Sequence, residues 1–108
     1  MSSIDDLLKE LKESLTGLAD GVWHDYKEGV VKDGTDFLNN IKDDLELWSR
    51  QLAEGELSPD DFTWLVKSKK NLVQLEALKE IGLAKAKLDK FVNDLIDTIV
   101  SKTIGSVL

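Results

Sequence analysis

The stretch that decides the fold is "EGELSPDDF", residues 54–62, which holds the only proline in a chain of 108 residues. Gly55 follows a long apolar pattern and suits the left-handed backbone that ends many helices. Ser58 fits the N-cap of a new helix, and Pro59 fits its first position, where the missing N–H costs nothing. A helix end followed within about four residues by a helix start predicts an antiparallel helical hairpin.

Four side chains near Ser58 support a helix start there. Asp60 and Asp61 place negative charge at the positive end of the helix dipole. Leu57 precedes the cap and Phe62 follows in the first turn, which is the spacing of a hydrophobic staple. The helix start is therefore predicted from several independent features.

Apolar residues recur every eleven positions in both halves of the chain. Eleven residues complete three turns at about 3.67 residues per turn, close to the α-helical value, so each row stays on one helix face. We therefore predict two long amphipathic helices, over residues 3–54 and 59–104, in one all-α domain. The rows of the first half are Ile4, Leu15, Tyr26, Phe37 and Trp48, and Leu8, Ala19, Val30, Ile41 and Leu52. Those of the second half are Phe62, Val73, Ala84 and Leu95, and Val66, Ala77, Leu88 and Ile99.

The turn also predicts which residues of the two helices lie opposite one another. Large apolar residues then face smaller ones at several levels. Two charged residues also meet, and either this pairing helps to set the register or the lysine reaches solvent instead. The predicted pairs include Leu52 with Phe62, Trp48 with Val66, Tyr26 with Leu88, Val22 with Val92, and Asp44 with Lys70.

Four glycines weaken the first predicted helix, because each costs about 0.8–1 kcal/mol relative to alanine in a helix interior. They form two pairs, Gly17 with Gly21 and Gly29 with Gly34. We expect this helix either to be continuous or to be broken near one of these pairs, which would give three helices in all.

A two-helix hairpin of this length covers only one seam per helix and leaves many large apolar residues outside it. We therefore expect two hairpins to pair as a four-helix bundle in a two-fold homodimer. The residues predicted at this interface are Trp23, Leu38, Leu45, Trp64, Leu72, Leu75, Leu78, Leu83, Phe91 and Ile96.

The sequence contains few residues of the types that carry catalysis or hold a metal ion. It has no cysteine and a single histidine, His24. Asp20, His24 and Glu28 share a helix face, but three ligands spread over two turns converge poorly, and a ferritin-like di-iron centre needs two Glu-x-x-His motifs. We expect no catalytic residues, no metal and no cofactor, and predict that the protein is not an enzyme.

The charge is strongly negative and unevenly distributed. The net charge is −7; residues 1–55 carry 13 acidic and 6 basic residues, whereas residues 56–108 carry 8 of each. An acidic surface argues against nucleic acid as a partner. The acidic N-terminal stretch does not resemble a secretory signal, so we expect a cytoplasmic protein.

Two classes of function fit these features. In the first, the protein self-associates through its amphipathic helices and presents acidic faces to a protein partner. In the second, the hairpin opens on a lipid or another apolar surface. The eleven-residue period resembles that of exchangeable apolipoproteins, in period alone and without a shared motif. That resemblance implies helices lying along a lipid surface, although acidic polar faces disfavour anionic lipids.

Overall fold

The computed structural model describes residues 4–21 and 23–108, and all the regular structure in these ranges is helical. The all-α prediction is therefore confirmed, while the segmentation is finer than predicted. Short 3₁₀ turns occupy His24–Tyr26 and Lys70–Leu72. The α-helices are α1 (Ile4–Asp20), α2 (Lys27–Asn40), α3 (Lys42–Ala53), α4 (Pro59–Ser68), α5 (Glu76–Glu80) and α6 (Lys85–Val107).

The turn between α3 and α4 forms as the sequence predicts. Gly55 has a φ of 76°, and its N–H donates to the carbonyl of Leu52 while the N–H of Glu56 donates to that of Gln51. This pair of hydrogen bonds is a Schellman motif, which satisfies carbonyls at the end of α3. Ser58 then caps α4, with its hydroxyl accepting the backbone N–H of Asp61 at 3.1 Å.

The first predicted helix is wrong as a continuous element, because it is divided into α1, α2 and α3. α1 ends at Asp20, beside the predicted Gly17–Gly21 break, and the backbone bends again at Ile41, where no break was predicted. Eight of the ten apolar row residues of this half are buried, and Ile4 and Tyr26 are half-buried. The rows therefore face the core although the helix is interrupted.

The predicted alternative break at Gly29–Gly34 is wrong, because both glycines lie inside α2. A Cβ built on Gly34 would lie 2.6 Å from both terminal methyl carbons of Leu15, and one on Gly29 would lie 2.8 Å from a methyl carbon of Leu78. The missing side chains let α1 and α5 pack closely on α2. This close packing offsets the low helix propensity of glycine.

The second predicted helix, over residues 59–104, is wrong as a continuous element, since α4, α5 and α6 are separate. Gly82 follows α5 with a φ of 78°, and the N–H groups of Gly82 and Leu83 donate to the carbonyls of Lys79 and Leu78. The hydrogen bonds are again those of a Schellman motif. Near this break the row residue Ala84 is exposed, while Ala77 and Leu88 are half-buried.

A buried carboxylate determines where α5 begins. Asp33 of α2 is 1% exposed, and its two oxygens accept the backbone N–H groups of Ala77 at 3.1 Å and Leu78 at 2.9 Å. The first N–H groups of a helix have no acceptor within the helix, and a negative charge there also favours the helix dipole. Asp33 therefore acts as a cap supplied from a distant part of the chain.

The six helices pack into a particle with principal extents of 43 × 23 × 20 Å. This is much shorter than the roughly 70 Å expected for helices of about 48 residues. α1 packs against α2 and α6, α2 also packs against α5, and α6 contacts both α3 and α4.

Two side-chain contacts between the halves fall one residue from predicted pairs, whereas the ring contact of Trp48 with Phe62 and the hydrogen bonds of Asp33 fall three to four residues from the predicted register. Asp44 pairs with Lys69 at 3.3 Å, one residue from the predicted Lys70, and the Tyr26 hydroxyl accepts a hydrogen bond from Lys87, one residue from Leu88. Val22, predicted opposite Val92, lies outside the described residues.

We expect Gly34→Ala to destabilise the protein by about 0.5–2 kcal/mol, because displacing Leu15, which is itself 1% exposed, costs more than the gain in helix propensity returns. Gly17→Ala is the matched control, since Gly17 is helical and its Cβ would meet no atom within 4 Å. It should stabilise by about 0.5–1 kcal/mol through helix propensity. Urea unfolding followed by circular dichroism measures both changes. If both substitutions changed the free energy of unfolding in the same direction, the close packing of α1 on α2 would be contradicted.

We expect Asp33→Ala to cost about 2–3 kcal/mol, because it leaves the N–H groups of Ala77 and Leu78 without an acceptor in a buried setting. Asp33→Asn keeps one carbonyl oxygen and should fall between alanine and wild type. Asp36→Ala removes an exposed acid from the same helix and should change the unfolding free energy little. Urea unfolding checks the order, and similar losses for Asp33→Ala and Asp36→Ala would contradict a capping role.

Candidate interaction surface

Most residues predicted at a dimer interface lie inside the single chain. Because the helices are broken, their segments cover one another, so these side chains need no second copy to bury them. The expectation that these residues are left uncovered within one chain is therefore corrected. Leu83 is half-buried against the core. The buried members are Trp23, Leu38, Leu45, Leu75, Leu78, Phe91 and Ile96.

Trp23 shows how such a residue is used internally. Its ring packs edge-on against Phe91 at 5.6 Å between centroids, and its Nε1–H donates to Asp94 Oδ2 at 3.1 Å. Lys90 donates to the same carboxylate oxygen at 3.0 Å and lies over the Trp23 ring. Both the apolar and the polar parts of the indole therefore have partners within the chain.

Trp64 and Leu72 remain on the surface, with exposed fractions of 68% and 49%. Successive residues of an α-helix are about 100° apart, so Trp64 lies about 160° from both Phe62 and Val66, which point into the core. We call the outward side of α4 the Trp64 face. It consists of Asp60, Asp61, Trp64, Lys67 and Ser68, all exposed.

The core-facing side of α4, opposite the Trp64 face, is tightly packed. Phe62 and Val66 are both 0% exposed, and Phe62 packs edge-on against Trp48 at 6.4 Å between centroids. Lys69 at the end of α4 pairs with Asp44 and lies over the Trp48 ring. Trp64 is therefore presented on a packed helix rather than on a loose segment.

The charge around the Trp64 face differs from that of the whole chain. Residues 59–72 contain three lysines and two aspartates, for a net charge of +1, in a protein of net charge −7. Several other acids are paired on the surface, for example Asp20 with Lys27 at 2.7 Å. Within residues 4–21 and 23–108, no ion pair involves Asp60, Asp61 or Lys67. These charges are thus available to a partner.

The residues weighed as metal ligands do not form a cluster. His24 lies in the 3₁₀ turn after α1 and is 3.6 Å from Asp25, while Asp20 pairs with Lys27. Among the described residues, no group of three or more His, Cys, Asp or Glu side chains could hold a metal ion.

The perturbed lysine on α2 has a local structural cause. The hydrogen bond from Lys32 to Asp36, at 2.9 Å, raises the pKa of the lysine, and the negative charge of Asp36 raises it further. The pair joins adjacent turns of one exposed helix face, which is a common way to stabilise a helix. It therefore explains the perturbation without any ligand.

Two open grooves flank α1 and are lined by a mixture of charged and polar side chains. One lies between α1 and the region of Asn39 and Lys42, and the other lies between α1 and the end of α6, where Ser106 donates to Glu10 at 2.5 Å. Neither groove contains the histidine or converges on a buried titratable group. The Trp64 face is therefore the more distinctive surface feature.

Sequence reasoning identified Trp64 and Leu72 as interface residues but could not separate them from the eight that are covered. The separating signal was local for Trp64: it lies opposite Phe62 and Val66 in a helix whose start is well defined by Ser58 and Pro59. The burial of Leu75 and Leu78 depends on the breaks around α5, which hydrophobic periodicity alone did not predict.

Comparison of the chain with protein-family models, with curated proteins and with solved structures gave no match. Among the described helices, none is long and apolar enough to cross a membrane.

Proposed function

We propose that this is a non-catalytic helical interaction protein that self-associates through the Trp64 face and presents acidic surface to a protein partner. The observation that carries the proposal is the 68% exposure of Trp64 on a helix whose opposite side is fully buried. Tryptophan is enriched among the residues that dominate binding energy at protein interfaces. A tryptophan held at the centre of a packed helix face is suited to the middle of a small interface, where the residues that dominate binding energy cluster.

The distribution of charge supports association at this face rather than elsewhere. The first half of the chain carries 13 acids against 6 bases, so copies repel one another over most of that surface. The nearly neutral segment around α4 lacks this repulsion. The acidic surface of the first half then stays accessible to a partner that carries basic residues.

The proposed assembly is smaller than a bundle of full-length hairpins. Two copies would each contribute the α3–α4 pair, with α4 at the contact, so that four helices lie together around the Trp64 faces. An interface centred on one helix per copy is small, and we expect a dissociation constant of about 10–100 µM. The protein would thus exchange between monomer and dimer with concentration.

We expect Trp64→Ala to raise the dissociation constant of the dimer about 30-fold or more, because each substitution removes the central side chain from both copies. Ile81→Ala is a matched control, since Ile81 is also exposed, at 58%, but lies after α5. Sedimentation equilibrium over a concentration series measures the constants, and thermal unfolding checks that both variants fold like the wild type.

Two outcomes would contradict the proposal. A wild-type chain that stays monomeric up to about 1 mM would remove self-association, as this lies well above the expected constant. Equal weakening of the dimer by Ile81→Ala and Trp64→Ala would show that the Trp64 face is not the interface. Neutral lipid vesicles form a further arm: a blue shift of tryptophan emission with loss of the dimer would favour binding to an apolar surface instead.

A further inference from the structure

We propose that two copies pair their α4 helices antiparallel, with Trp64 at the two-fold axis and Asp60 of each copy beside Lys67 of the other. This inference rests on the proposed self-association and names its geometry. It follows from the order of side chains along the Trp64 face, in which acidic residues precede the tryptophan and a basic residue follows it.

The positions of Asp60 and Lys67 on α4 make this pairing possible. Asp60 lies about 6 Å from Trp64 towards the N-terminus, and Lys67 lies about 4.5 Å from it towards the C-terminus, at 1.5 Å per residue. At about 100° per residue, they lie about 40° and 60° from Trp64 on the same side of the face. Asp61 and Ser68 lie on the other side, also one before and one after the tryptophan.

A two-fold axis that is perpendicular to the helices and passes between the two Trp64 side chains reverses the helix direction in the second copy. It keeps each residue on the same flank of the contact. Asp60 of one copy then comes to nearly the same level as Lys67 of the other, on the same flank. The symmetry repeats the pair, so one contact gives two ion pairs, and it brings Asp61 near Ser68 on the opposite flank.

The alternative parallel pairing is electrostatically unfavourable. A two-fold axis parallel to the helices would place Asp60 of one copy beside Asp61 of the other, so that like charges face each other, and would place Lys67 beside Ser68, without an acidic partner. Antiparallel pairing also sets the positive end of one helix dipole beside the negative end of the other. The charge order on the face therefore selects one orientation.

A second copy fits the Trp64 face because, in the antiparallel pair, the acidic Asp60 of each copy lies beside the basic Lys67 of the other. No ion pair within the described part of the chain uses Asp60 or Lys67, so both charges are available. They are also too far apart on one helix to pair with each other, since seven residues span about 10 Å.

The test reverses these charges singly and together in the full chain. Lys67→Glu and Asp60→Lys should each raise the dissociation constant of the dimer about tenfold, because each replaces two attractions by two repulsions across the axis. The double variant Asp60→Lys with Lys67→Glu restores opposite charges in exchanged positions, and its dissociation constant should return to within about threefold of wild type. Sedimentation equilibrium at low salt measures all of these, and circular dichroism verifies folding.

Lys102→Glu is the matched control, because Lys102 is exposed on α6 and its substitution alters the net charge by the same amount as Lys67→Glu. It should leave the dissociation constant nearly unchanged. Asp60→Lys is a second check, since it lowers the net negative charge and would strengthen a dimer limited only by overall repulsion.

The outcomes separate this inference from the proposed function. If Trp64→Ala disrupts the dimer while the single charge reversals have no effect, the Trp64 face is the interface but the antiparallel register is wrong. A double variant that remains as weak as the single ones also overturns the register. A wild-type chain without any dimer overturns both the register and the self-association.

Discussion

The contact on which the fold depends most is that of the Asp33 carboxylate with the start of α5. A charged group that is 1% exposed is costly unless its oxygens are satisfied, and here two backbone N–H groups satisfy them. The contact joins positions more than forty residues apart and fixes a five-residue helix that could not persist alone. It places Leu78 against Gly29, so that α5 closes over α2 and covers side chains that a straight helix would leave outside.

The elements predicted well from the sequence are those encoded by neighbouring residues. Gly55, Ser58 and Pro59 act within a few positions of one another, and the turn they predict is present. The missed break after α5 had a comparable signal in Gly82, which ends α5 with the same Schellman pattern as Gly55. The start of α5 had no such signal, because its cap is Asp33, and a cap supplied by a distant residue leaves no pattern in the local sequence.

The candidate site could be predicted from the sequence only as far as the position of its helix, α4, could be predicted. The phase of α4 is set by Phe62 and Val66, and this placed Trp64 on the outside. Other predicted interface residues were misjudged because their exposure was derived from two straight helices. Leu38 and Leu45, for example, lie on either side of the bend at Ile41 and are buried by the bent chain. An apolar residue outside a predicted seam can thus be covered by tertiary structure as well as by a partner.

The most direct test of this account is the exchange of backbone amide hydrogens between residues 74 and 78, measured by NMR below the concentration at which the protein dimerises. The N–H groups of Ala77 and Leu78 should exchange slowly, because Asp33 accepts both. Those of Gln74 and Glu76 should exchange fast, since the described part of the chain offers them no acceptor. Uniform protection from 74 to 78 would indicate a continuous helix, and uniformly fast exchange would show that Asp33 caps nothing; either result would contradict the account.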